Sequence, residues 1–324
     1  MFFKLNYNEN LFIKLLLSFC FILVCNHAMA NGIQEIIKGE IKGGRCSQLF
    51  AQSGSTMSSQ THPKFEIIEN HSKLPLPKMH AAITTILNKL ADMVQGKLEI
   101  PEGLKIIVEE AGDKAYYQPG VLHIPYEFLS LKYHKHLENT VAVLAHEWGH
   151  FLSEHNLMKL FPELKAAKEN NKENFTGIFM SYSELFSDVV SVLYLRDGRA
   201  NRDATFCACQ SEYNGDNFSA RLRDFTERHD EKGWEFQGPY AMMGPMRTWL
   251  WKHYLNRPVS QRLSGDVLHM MILAVGEQIK VRLENPDVDW SPEKINRELM
   301  RGFQEKMDSL GGVWVGFGDN WDAP

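Results

Sequence analysis

Between His136 and His155 apolar residues recur at helical spacing, and the chain sets His146-Glu147-Trp148-Gly149-His150 into that pattern. Thr140, Val141, Val143, Leu144, Trp148, Phe151 and Leu152 give the segment an apolar side apart from the two histidines. Four residues apart, His146 and His150 project from one face of a helix. Two neutral imidazoles so placed can grip one Zn²⁺ at about 2.0–2.1 Å each. Glu147 adjoins the first histidine and leans toward the same point without having to bind there. It can take a proton from a water that the metal acidifies to a pKa of about 7. Those are the mechanics of H-E-x-x-H. Gly149 costs a helix about 1 kcal/mol relative to Ala, which is reasonable where another element approaches closely. Two histidines, a carboxylate and a glycine together are hard to justify as core packing.

A catalytic zinc takes a third protein ligand and keeps a fourth position open. Ser181 to Arg196 has the next strong helical pattern and is stopped by Asp197-Gly198. Glu184 and Asp188 share one of its faces, among Leu185, Phe186, Val189, Val190, Val192 and Leu193. Two acids facing into so apolar a helix need partners, because unpaired buried charge is expensive. Glu184 is the expected metal ligand, and Asp188 the acceptor that orients a ligand histidine. His155 follows His150 by five residues and so points well away from it.

Around this pair the chain reads as α+β, a small sheet before the metal helix and a mostly helical C-terminal half. Met79 to Lys97 has helical spacing, and Leu104 to Val108 and Val121 to Ile124 are strand-like, the second following the turn Pro119-Gly120. Asn170 to Asn174 reads as a solvated loop. Tyr240 to Leu255, Asp266 to Leu283 and Pro292 to Leu310 read as helices, with Ser291 as a side-chain cap before Pro292. Lys4 and Lys14 precede an apolar run, Leu15 to Cys25, and Ala28-Met29-Ala30 follows as an A-x-A site. The expectation is a signal peptide over 1–30 and export to a periplasm or beyond the cell. A polar stretch, 31–62, reads as a flexible arm or propeptide, and 63–324 as the metal-binding domain. No later segment has eighteen consecutive apolar residues, so no stable membrane span is expected. The formal net charge of -5, with no basic run, argues against a nucleic-acid partner. Cys46, Cys207 and Cys209 would remain after cleavage, either as one disulfide and a free thiol or as buried thiols.

At His146-Glu147-Trp148-Gly149-His150 and Glu184-Leu185-Phe186-Ser187-Asp188 the sequence resembles the gluzincin metallopeptidases, over about seventy residues. The resemblance implies a zincin-like fold and a zinc-dependent peptidase. Val121 to Pro125 would be the edge strand beside the cleft, with an extended peptide or protein substrate along it. Leu137 to Ala145 would carry the chain into the zinc helix. The gap from His150 to Glu184 is longer than in thermolysin-like members. A donor to the oxyanion is not evident, and the candidates are Tyr240 first, then Arg247, His253, His229 and Tyr182. A thiolate from Cys46, in the arm, could hold the enzyme latent. Two other functions are compatible with the same motif: a zinc amidase acting on cell-wall peptides, and a non-catalytic secreted zinc-binding or effector protein.

Overall fold

The computed structural model describes residues 66–70, 76–110, 115–125, 137–169, 173–200, 223–226, 242–256, 261–285 and 291–310. The leader, the arm with Cys46, the Cys207/Cys209 pair, His229 and Tyr240 lie outside the described residues. Strand β1 (Glu66–Asn70) runs parallel to β2 (Lys105–Glu109), and α1 (Leu76–Val94) makes the crossover between them. Strand β3 (Tyr116–Gln118) turns through Pro119-Gly120 into β4 (Val121–Pro125), and Gly120 takes the positive φ that the two-residue turn requires. β4 lies parallel to β2, so the sheet order is β1-β2-β4-β3. Ile106 and Val108 of β2 stand opposite Leu122 and Ile124 of β4, and all four are buried in the core.

This order corrects one expectation. Among the described strands Val121 to Pro125 lies inside the sheet, and the edges are β1 and Tyr116–Gln118, the latter next to it. Three residues are too few to show a period-2 alternation.

The helical part comprises α2 (Leu137–Leu160), α3 (Glu163–Glu169), α4 (Glu173–Leu195) and α5 (Gly244–Leu250), which continues as a π-helical turn at Trp251–Leu255. α6 (Gln261–Glu284) and α7 (Pro292–Ser309) follow. Leu137 to Ala145 are thus the first turns of the metal helix itself. α4 begins at Glu173, inside the stretch read as a loop, and α3 carries no sequence signal long enough to separate it from its neighbours. α6 packs against α1, α2, α3, α4 and α7. Ser291 caps α7 as expected, its Oγ accepting the Lys294 N–H at 3.4 Å. The result is α+β, and none of the described helices is long and apolar enough to cross a membrane.

The site depends on how α2 and α4 meet. Ser191 Oγ donates to the Ala142 carbonyl at 2.9 Å, tying the two helices directly. At Gly149 the backbones come so close that an added Cβ would lie 2.7 Å from Ser187 Cα. Only a hydrogen fits there. Gly149→Ala is therefore expected to push α2 and α4 apart at a cost of about 1–3 kcal/mol, exceeding the gain of about 1 kcal/mol in helix propensity. Thermal melts with and without metal check this; a melting temperature above wild type would contradict it.

Candidate metal centre

The same close approach sets two histidines of α2 against a carboxylate of α4. His146 Nε2 lies 3.1 Å from His150 Nε2 and 3.2 Å from Glu184 Oε2, and His150 Nε2 lies 3.6 Å from Glu184 Oε1. Ligand atoms on a tetrahedron with bonds of about 2.0–2.1 Å stand about 3.3–3.4 Å apart. The three donors therefore already have the spacing that a single ion demands. Glu184 Oε2 is buried and, though near His146 Nε2, lacks hydrogen-bond geometry to any donor among the described residues. A buried carboxylate oxygen left so is costly unless a cation meets it. The residues present fit a metal ion.

Each imidazole has its other nitrogen engaged. His146 Nδ1 faces Asp188 Oδ1 at 3.1 Å, and His150 Nδ1 faces Ser183 Oγ at 2.7 Å. With Nδ1–H donated to these acceptors, Nε2 of His150, and of His146 once it gives up its second proton, would offer a lone pair to a cation. Asp188 is wholly buried and holds two arginines. Its Oδ1 accepts from Arg223 Nε at 3.0 Å and Nη2 at 2.7 Å, and its Oδ2 from Arg247 Nε at 3.0 Å. Arg223 Nη2 also lies 2.9 Å from His146 Nδ1, so three nitrogens of two side chains converge on Asp188 Oδ1.

The electrostatics favour positive charge at the point where the ligands converge. Burial and Arg223 both oppose protonation of His146, yet the Asp188 and Glu184 carboxylates outweigh them and hold it up at about 9. Burial pushes His150 down to about 4. Burial would raise Glu184, but His150 and His146 pull it down to about 2. Asp188, despite its burial, is held well below the usual carboxylate range by Arg223 and Arg247. A cation bound by His146 Nε2 would take the place of that proton, so its uptake would release one. Glu147 differs from its neighbours. Burial, with the Glu184 charge added, pushes its carboxyl up to about 7, and it is no part of the ligand triad. The nearby backbone of Tyr117, on strand β3, partly offsets that rise.

No family model, no curated protein and no solved structure matches this chain. Function must therefore be argued from the site.

The structure brings His146, Glu147, His150, Glu184 and Asp188 together as the motifs imply. It removes two candidate oxyanion donors. Arg247 is fully buried with both its Nε and Nη2 on Asp188, so it cannot meet a substrate. A cation in an apolar helix pattern is buried only when a partner awaits it, and here Asp188 is that partner. Tyr182 is buried and donates to Gln278 of α6. His253 stands beside Trp249, ring centroids 5.2 Å apart. His155 pairs with Glu99, outside the triad. Three contributors escaped the sequence reading. Ser183 sits one residue before Glu184, and its role was open to inference from that position. Arg223 and Tyr117 left no signal, because their segments carry no periodicity.

Proposed function

We propose that this chain is an exported zinc-dependent metallopeptidase of gluzincin type, with a zincin-like fold. The observation that carries the reading is the triad geometry, with the two Nε2 atoms 3.1 Å apart, the Glu184 carboxylate 3.2 Å from one through Oε2 and 3.6 Å from the other through Oε1, and Glu147 beside them but outside the ligand set. A purely structural site has no use for an acid beside its ligands but outside their set. His146, His150 and Glu184 would hold the ion, and two imidazoles with one carboxylate are a donor set suited to zinc. When bound there, zinc supplies Lewis acidity toward water and toward a carbonyl oxygen.

The remaining work falls to the chain's own groups. Glu147, raised to about 7, can accept a proton from the attacking water and return it to the departing amine near neutral pH. Ser183 and Asp188 keep the two imidazoles in one tautomer. Edge strand β3 packs beside the helix that carries Glu147, where an extended peptide can add as a strand. A cleavable leader is consistent with work in a periplasm or outside the cell.

The test is zinc content by elemental analysis together with cleavage of a peptide library by the purified chain. One zinc per chain is expected, with hydrolysis lost on chelation and restored by zinc. Stoichiometric zinc with no hydrolysis of any peptide would overturn the peptidase reading, and a chain that takes up no zinc would overturn the metal site.

A further inference from the structure

We infer that Tyr117 is the positioning residue for His150, its ring held by strand β3 as a wall that limits how far that imidazole can turn. The inference rests on the reading of His146, His150 and Glu184 as metal ligands. It starts from an inequality between the two histidines. His146 Nδ1 faces Asp188 Oδ1, a fully buried carboxylate oxygen that Arg223 fixes through both Nε and Nη2. His150 Nδ1 has the Ser183 hydroxyl as its partner, at 2.7 Å. A neutral hydrogen bond is about half as strong as one to a carboxylate, and a hydroxyl can rotate. By hydrogen bonding alone, His150 is the looser ligand.

Ring packing makes up the difference. The Tyr117 ring lies nearly parallel to the His150 imidazole, at 13° with centroids 6.3 Å apart. His146 stands perpendicular to the same imidazole, at 89° and 4.7 Å. His150 thus has one ring parallel to it and one edge-on, both at separations usual for aromatic pairs. Turning the imidazole would spoil both arrangements.

The wall is itself fixed. Tyr117 pairs with Leu122 of β4, which is buried in the core. Its hydroxyl accepts the Gly120 N–H at 3.0 Å, across the turn into β4. Its ring also meets Phe151 of α2 at 62° and 6.2 Å. The ring is therefore anchored by strand pairing at one end and by the turn at the other. Phe would fill the same space without the second anchor, and Leu would provide no ring at all.

The experiment compares full-length wild type, Tyr117→Phe, Tyr117→Leu and the core variant Val108→Ala, none of them read by hydrolysis. Zinc affinity, measured by chelator competition, is expected to fall about threefold in Tyr117→Phe and about tenfold in Tyr117→Leu. The visible bands of bound Co²⁺, which report ligand geometry, should shift in Tyr117→Leu. Val108→Ala should melt earlier but keep wild-type zinc affinity and Co²⁺ bands, because it loosens the sheet without touching the wall. Wild-type affinity in Tyr117→Leu, or an equal loss in Val108→Ala, would overturn the inference. A wild type that takes up neither ion sinks the metal reading separately. Histidine-labelled NMR of the metal-free chain then still decides: the His150 imidazole should become more mobile in Tyr117→Leu, and unchanged order overturns the wall. Tyr117→Phe carries the same measurements if Tyr117→Leu does not fold.

Discussion

Glu147→Gln is expected to remove nearly all hydrolysis while leaving zinc in place. General-base groups contribute about 10²–10⁴-fold, and Gln keeps the shape of the side chain but cannot take a proton. The proposed ligands are His146, His150 and Glu184, so zinc content should stay at one per chain. The substitution should also not cost stability. Burial raises the Glu147 carboxyl to about 7, so above the ordinary carboxylate range its ionised form costs the fold free energy. Neutral Gln removes that cost, and the gain should fade as pH falls and the wild-type group becomes protonated in both folded and unfolded chains. Loss of activity with equal or higher stability at neutral pH is the mark of a group placed for chemistry. Hydrolysis unchanged in Glu147→Gln would falsify the assigned mechanism.

How much of this was legible beforehand follows the range of each interaction. His146 and His150, or Glu184 and Asp188, are four residues apart on one helix, and such pairs show in the sequence as spacing. Gly149 was legible for a similar reason, because a poor helix former in a strong helix asks for a close neighbour, and Ser187 is that neighbour. The α+β class followed from the change from strand-like to helical periodicity along the chain. The clamp behind the site was not legible. Arg223 meets Asp188 across 35 positions, and Arg247 meets it across 59. Neither pairing has a local pattern, so the sequence offers Arg247 only as one candidate oxyanion donor behind Tyr240. Tyr117 belongs to a strand too short to announce itself, and without the strand order the edge was assigned to β4. Tyr240, the first candidate for the oxyanion donor, lies outside the described residues.

Asp188→Asn is expected to be the most damaging single change to the fold, although Asp188 is not a ligand. The carboxylate is completely buried, and so is Arg247, whose Nε and Nη2 meet Oδ2 at 3.0 and 2.8 Å. Removing one partner of such a buried pair costs about 3–5 kcal/mol, because the other charge is left without compensation. Asn has one oxygen where two guanidinium groups and the His146 Nδ1 need acceptors, so its amide must turn a donor toward a donor. Arg223 is partly exposed and can recover solvation, so most of the cost should come from Arg247. Metal affinity should fall about 10–100-fold as well, since His146 loses the acceptor that fixes its ring. The two effects can be separated. In Asp188→Asn with Arg247→Met, the stranded buried charge is gone and an apolar chain of similar length takes its place, so melting temperature should partly recover. Zinc affinity, measured by chelator competition, should stay low, because nothing has been returned to His146. Recovery of both together would show that Asp188 serves only the fold; wild-type zinc affinity in Asp188→Asn alone would show that the ligand histidine needs no such partner.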